Sequence, residues 1–316
     1  MILTPLTMSG EELFVPLEFL GPQGLFVAII FGLLAARIYV LIIKNGWTIK
    51  LPAGVPPTVS RSFLNLTPGF IIAAIMAAIN GAFSITVYGS VHDFVYTLIQ
   101  TPLQNLGGSY WALVTVILTV HILWLFGIHG MLVIMPIYQG VWLPLGLENV
   151  SALAAGDPLP NIVSSAFFMT FVIIGGSGAT LGICIYMAFR AKSERYKKLG
   201  KLALPGSFFG INEPLIFGMP IVLNPYLAIP FILSPLASGT IAYLVMNFGL
   251  VPIANGTPTP LGVPIIANAF IQGGFILIVT QIILLVVTAI IYYPFFKALD
   301  KKAVADEKNH DEAEES

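Results

Sequence analysis

All fourteen lysines and arginines of the chain fall in three clusters, Arg37 to Arg61, Arg190 to Lys201, and Lys297 to Lys308. The stretches between Arg61 and Arg190 and between Lys201 and Lys297 carry none, and apolar runs of membrane-spanning length recur through both. With 57% hydrophobic and 9% charged residues, the chain departs far from soluble domains, where about a quarter of residues are charged. Cationic side chains collect on the cytoplasmic side of a membrane, so all three clusters are expected there. A net charge of -1 offers no footprint for nucleic acid. The one cysteine, Cys184, has no partner, and His92, His121, His129 and His310 show no ligand spacing. The residues therefore indicate no disulfide, no metal and no cofactor.

Charge parity orders the chain. Met1 to Leu20 is a polar lead without the basic n-region of a signal peptide. A first span over 21–43 ends at Lys44, inside, so the lead starts outside; an odd number of preceding spans is expected to be missing. A cytoplasmic loop to Phe63 precedes spans over 66–88 and 111–128. Between them, Ser90 to Leu106 reads as an interfacial helix, with Val91, Phe94, Val95, Leu98 and Ile99 on one face and His92, Asp93 and Gln100 opposite. The apolar run 131–145 crosses or forms a broken span, an acidic outer loop covers 148–161, and 162–189 returns inside. Six small residues from Gly175 to Thr180 suggest close helix approach there. Spans over 226–250 and 273–296 follow, then a charged, disordered tail.

One stretch breaks this regularity. Pro205 to Pro225 is apolar, yet it contains four prolines, three glycines and the carboxylate of Glu213. Backbone interrupted this often survives at membrane depth only inside protein or beside a water-filled cavity. Parity makes 202–223 a hairpin entering from the cytoplasm and 255–270 one entering from outside. The fold class is all-α: a polytopic helical membrane transporter with roughly seven transmembrane spans and two opposed re-entrant hairpins. The domain reading is 1–88 for an interface (dimerisation) remainder, 89–108 for the amphipathic linker helix, 109–297 for the transport domain and 298–316 for the tail.

Paired broken segments point to a substrate site at the midplane. Glu213, able to accept strong hydrogen bonds, and Asn212, able to give and accept them, suit a polyhydroxylated neutral ligand such as a sugar. Glu213 has a second reading, as a helix cap facing the basic cluster. His129 reads as a ligand or proton contact, or as an interfacial histidine bonded to backbone; His121 reads as a packed core histidine. Thr257, Thr259 and Asn268 bond hydroxyls or satisfy broken backbone, and Trp124 and Phe126 stack on a sugar face or serve packing.

The run Phe209-Gly-Ile-Asn-Glu-Pro-Leu-Ile-Phe-Gly-Met-Pro-Ile-Val-Leu-Asn-Pro225 resembles the membrane permease, enzyme IIC, of the lactose/cellobiose/chitobiose family of the bacterial phosphoenolpyruvate:sugar phosphotransferase system. Ile49 to Pro57, Gly127 to Gly130 and Gly176 to Thr180 look like the same family. The resemblance implies about ten spans, with roughly three absent from the start of this chain. The earlier spans would form mainly a homodimer interface, and the later ones, with both hairpins, a mobile sugar carrier in the bacterial cytoplasmic (inner) membrane. It implies Glu213 and His129 as the catalytic pair on the hydroxyl to be phosphorylated; the residues themselves add Asn212, Thr257 and Asn268 as substrate-binding candidates. It implies a disaccharide substrate, a cytoplasmic IIB phosphocysteine protein as phosphoryl donor, and IIA and HPr upstream. This chain has no phosphate loop and no cysteine placed to receive phosphate. The rival readings are an ion-coupled secondary sugar transporter, with Glu213 and His129 relaying protons, and a non-functional truncated permease.

Overall fold

The computed structural model describes residues 7–9, 12–14, 24–49, 52, 57–260 and 262–315. Most of the polar lead and part of the loop after Lys44, including much of the Ile49–Pro57 motif, lie outside them. Within the lead, β1 (Thr7–Ser9) and β2 (Glu12–Phe14) pair antiparallel. Helix makes up nearly all the remaining regular structure, in two compact units, Met1–Gln104 and Asn105–Ser316.

In the first unit, α1 (Leu25–Lys44) and α2 (Pro57–Ser84) are long apolar helices. α2 begins at Pro57 rather than after Phe63, because a helix's first position tolerates proline's fixed φ and missing N–H. α3 (Val91–Val95) runs through a π turn, Tyr96–Gln100, into α4 (Thr101–Gly107). Val91 and Val95 are buried with Val27 and Met76, as the apolar spacing requires. His92 is buried too, against its placing on a polar face, because α3 packs on both α1 and α2 and its edge is covered.

In the second unit, α5 (Tyr110–Leu125) is followed after a turn by α6 (Gly130–Ile137), a π turn (Tyr138–Trp142) and α7 (Leu143–Ala155). The last three form one apolar stretch of 26 residues. Glu148 therefore does not open an acidic loop; the helix continues until Gly156, whose φ of 79° ends it in the left-handed conformation. The next stretch is no continuous span. α8 (Ser165–Phe167) and a π turn (Phe168–Val172) stop at an unwound segment, and α9 (Leu181–Arg190) starts beyond it. Gly175, Gly176, Gly178 and Ala179 all have positive φ, so these small residues form a backbone break, and Gly178 also permits close approach, since a Cβ there would lie 2.3 Å from the Phe231 ring. Gly182, a turn further on, also lies close to a neighbour: a Cβ there would meet the Leu285 carbonyl at 2.7 Å.

The basic cluster is helical as well. α10 (Glu194–Phe208) is capped by Ser193, whose hydroxyl accepts the Tyr196 N–H. A turn leads to the short α11 (Glu213–Gly218), then α12 (Pro225–Asn247), capped by the Asn224 side chain. α13 (Ile265–Glu315) is interrupted at Gly273 and Gly274; Gly274, at φ 72° and ψ -155°, adopts a conformation open essentially to glycine alone. The tail read as disordered continues α13 as helix to Glu315.

Among the described residues, five helices are long and apolar enough to cross a membrane, six when Val91–Gly107 and Tyr110–Leu125 are taken together. The seventh stretch read as a span, 162–189, is the unwound one. Leu33, Phe70, Phe275 and Ile290 are exposed on these helices, as lipid-facing side chains would be. Inside the second unit, Trp142, Phe167, Phe168, Phe171, Phe231, Tyr292 and Phe296 form the buried core.

Candidate functional site

The 202–223 segment meets the end of α5. Leu223 donates its N–H to the Leu125 carbonyl at 2.8 Å, tying the turn after α11 to the turn that carries His129. Trp124, one residue earlier, packs its ring on the His129 imidazole with centroids 4.5 Å apart, and Phe217 of α11 edges onto the same indole. His129 immediately precedes α6, and Glu213 begins α11. The result is a pair: His129 Nε2 lies 3.7 Å from Glu213 Oε1. That is longer than a direct hydrogen bond. Both side chains are partly open, 38% and 43% exposed, so a ligand can reach them. Their other polar atoms, His129 Nδ1 and Glu213 Oε2, are buried without a hydrogen-bond partner.

Asn212 faces away from this opening. It is buried, and its side-chain amide donates one hydrogen to the Ser177 carbonyl at 2.7 Å and the other to the Thr180 hydroxyl at 2.6 Å. The unwound segment has no room for anything more: a Cβ on Gly176 would lie 2.3 Å from the Asn212 side chain. Asn212's carbonyl meanwhile accepts the Leu215 and Ile216 N–H groups, which starts α11. Its donors thus hold the backbone that presents Glu213.

The second segment is built by residues the sequence reading passed over. Asn149 donates to the Ala254 and Asn161 carbonyls. Gln272 accepts the Gly256 N–H on its side-chain oxygen and donates its amide to the Thr257 carbonyl. Gly256 rests against Gly146, where a Cβ would meet the Gly146 carbonyl oxygen. Thr257 is half-buried, its N–H turned to Asn255 Oδ1, while Asn268 is buried and accepts the Thr259 hydroxyl at 3.1 Å. Among the described residues, no hydrogen bond or ion pair joins this segment to the Glu213–His129 pair. Phe126 is exposed, and Trp124 is buried against His129. Buried amides in apolar helices (Asn149, Gln272) were the available signal, since such groups are seldom left without partners.

His121 is fully buried, and both its ring nitrogens are engaged. Nε2 accepts the Gly178 N–H at 2.9 Å, which leaves the proton on Nδ1 to be donated to the Ile117 carbonyl at 2.6 Å. Tyr292, from α13, donates its hydroxyl to the Gly178 carbonyl at 2.9 Å. No group of three or more potential metal ligands occurs among the described residues.

Apolar helices unwound at their middles around a half-open acid–imidazole pair define a multi-pass helical membrane protein of the transporter type. A family model described as "Phosphotransferase system, EIIC" matches residues 1–235. The chain belongs to the EIIC family of the phosphotransferase system. It is 37% identical to the oligo-beta-mannoside-specific EIIC component of Bacillus subtilis, over 97% of this chain and 70% of that one. It is 40% identical to the lichenan permease IIC component of the same organism, over 93% of this chain and 66% of that one. Lactose-specific relatives named EIICB, from Streptococcus mutans and Staphylococcus aureus, are similar at 32% and 33% identity. The crystal structure of ChbC, the IIC component of the N,N'-diacetylchitobiose-specific system, superimposes with a TM-score of 0.90 at 36% identity, covering 98% of this chain and 74% of that one. The chain spans about two thirds of the length of the first two of these relatives and about half of the EIICB relatives.

Proposed function

We propose that the protein is the sugar-translocating IIC component of a phosphotransferase system and carries a β-linked disaccharide such as cellobiose, lactose or chitobiose to a IIB partner. The single observation that carries this reading is the open pair of Glu213 and His129, with Oε2 and Nδ1 left unbonded. The Nε2–Oε1 separation of 3.7 Å supports this reading, since one sugar hydroxyl between the two side chains could donate to Glu213 while a histidine N–H donates to its oxygen. The relatives' names supply the substrate class, and the EIICB relatives motivate IIB as the partner.

The sugar hydroxyl oxygen attacks phosphorus of the IIB phosphocysteine, the P–S bond breaks, and the thiolate leaves on IIB. The hydroxyl proton passes to the Glu213 carboxylate, and His129 holds the hydroxyl in line. Catalysis is chiefly positioning, as in other phosphoryl transfers. IIA and HPr recharge IIB. Roughly seven spans and two opposed hairpins, 202–223 and 255–270, suit a carrier over 109–297 that moves against an interface domain including 1–88. The working form is a homodimer in the bacterial cytoplasmic membrane, with the interfacial helix 89–108 linking the parts and the tail 298–316 inside.

The test is Glu213→Gln in membrane vesicles supplied with phosphorylated IIB and cellobiose. Loss of cellobiose phosphate is expected; phosphorylation at the unaltered protein's rate would remove Glu213 from the mechanism. Accumulation of unmodified cellobiose without IIB would instead identify an ion-coupled carrier.

A further inference from the structure

One peptide unit, Ser177–Gly178, connects α5 to the residue beside Glu213. Its N–H is donated to His121 Nε2 at 2.9 Å, and its carbonyl accepts the Asn212 amide at 2.7 Å. The next carbonyl, of Gly178, takes the Tyr292 hydroxyl at 2.9 Å. His121 and Tyr292 are fully buried and Asn212 nearly so, so water does not compete for these bonds. A peptide held at both ends is polarised along its length, which strengthens each bond of the chain. α5 also carries Trp124, against which His129 packs, and Leu125, which accepts the Leu223 N–H. Both members of the reacting pair are therefore referred to one helix: His129 through Trp124, and Glu213 through Asn212, the Ser177–Gly178 peptide and His121.

We infer that His121 is a positioning residue for Glu213. It acts as a hydrogen-bond acceptor, fixed in the Nδ1–H tautomer by the Ile117 carbonyl, that sets the unwound segment and through Asn212 sets the carboxylate. This inference rests on Glu213 being the group that handles the hydroxyl. The segment needs an external anchor because its own conformation is unfavourable: Ala179 has φ 50°, outside the range an alanine prefers, amid three glycines with positive φ. An acceptor on α5 is what the Gly178 N–H lacks once helical bonding stops. Phenylalanine at 121 fills similar space but offers no acceptor, whereas glutamine offers a carbonyl oxygen.

The experiment measures IIB-dependent phosphorylation of cellobiose by the full chain in membranes for His121→Phe, His121→Gln, Tyr292→Phe and Glu213→Gln, with the unfolding temperature recorded for each. A displacement of about 1 Å at a reacting group lowers rate by about 10²-fold. His121→Phe is expected to lose turnover on that scale, with a smaller change in KM, and His121→Gln to recover most of it. Tyr292→Phe, releasing the adjoining carbonyl, should lose less, and its effect should not add to that of His121→Phe, because both act on one segment. Full turnover by a folded His121→Phe protein would overturn the inference, as would equal impairment of the glutamine variant. If the phenylalanine variant does not fold, normal turnover by Tyr292→Phe together with an impaired glutamine variant overturns it as well. Retained activity of Glu213→Gln would instead defeat the reading of Glu213 itself, whatever the His121 variants do.

Discussion

The Asp300 carboxylate accepts the Ser193 N–H at 3.0 Å and the Ser193 hydroxyl at 2.8 Å, so a side chain within one helix fixes the beginning of another over a hundred residues away in sequence. Its second oxygen accepts the Lys192 N–H at 2.9 Å, and Glu307, two turns further along α13, accepts the N–H groups of Glu194 and Arg195. A carboxylate at a helix N-terminus satisfies unpaired N–H groups and complements the helix dipole. α10, whose far end leads to Glu213, is held at its start by the charged continuation of α13.

Asp300→Ala should therefore destabilise the protein by about 2 kcal/mol, because the Ser193 N–H and hydroxyl it leaves are buried. Glu307→Ala, at a more open position, should cost less than half of that. Thermal unfolding in detergent compares the two; equal stability of the Asp300 variant would show that the cap is not needed.

Gly176→Ala should fail twice over. Its φ of 102° is closed to alanine, and the new methyl would fall on the Asn212 side chain, 2.3 Å away. The backbone term alone is worth about 1–3 kcal/mol. The expected result is a lowered unfolding temperature and lost sugar phosphorylation, with the neighbouring Gly210→Ala, where a Cβ meets nothing within 4 Å but φ is 83°, showing only the backbone component.

Asn212 separates a structural role from direct ligand contact. Asn212→Asp replaces two donors by acceptors facing the Ser177 carbonyl and the Thr180 hydroxyl. It should lower the unfolding temperature more than Asn212→Ala, since repulsion in a buried site adds to the lost bonds. A stable aspartate variant with weakened sugar binding alone would make Asn212 a ligand contact instead.

His129→Gln keeps a donor near Glu213 but loses the ring that packs on Trp124. Phosphorylation should fall by about 10²-fold, the usual scale for a group that holds or moves a proton. The unfolding temperature should change little, since the side chain is 38% exposed. Unchanged turnover would confine the chemistry to Glu213.

The apolar runs, the confined lysines and arginines, and the prolines around Glu213 make the helical membrane class and the location of the carboxylate legible, and the Asn-Glu-Pro run carries the family. Helix ends were less legible. Lys197, Lys198 and Lys201 look like a loop because charge density normally marks one, yet Ser193 and Asp300 cap a helix through them. The run from Gly175 to Thr180 looks like a helix contact, and small residues have two uses that composition does not separate; positive φ at Gly175, Gly176, Gly178 and Ala179 makes it a break as well, while Gly178 keeps its close approach to Phe231.

By itself the sequence determined where the chain can enter a bilayer, because hydrophobicity and positive charge act residue by residue, and it singled out an acid amid broken apolar backbone. Only the tertiary structure decided what that acid meets. His129 and Glu213, like His121, Gly178 and Asn212, are brought together by hydrogen bonds and ring packing between segments distant along the chain. Such contacts depend on how helices pack, which no local pattern of residues records.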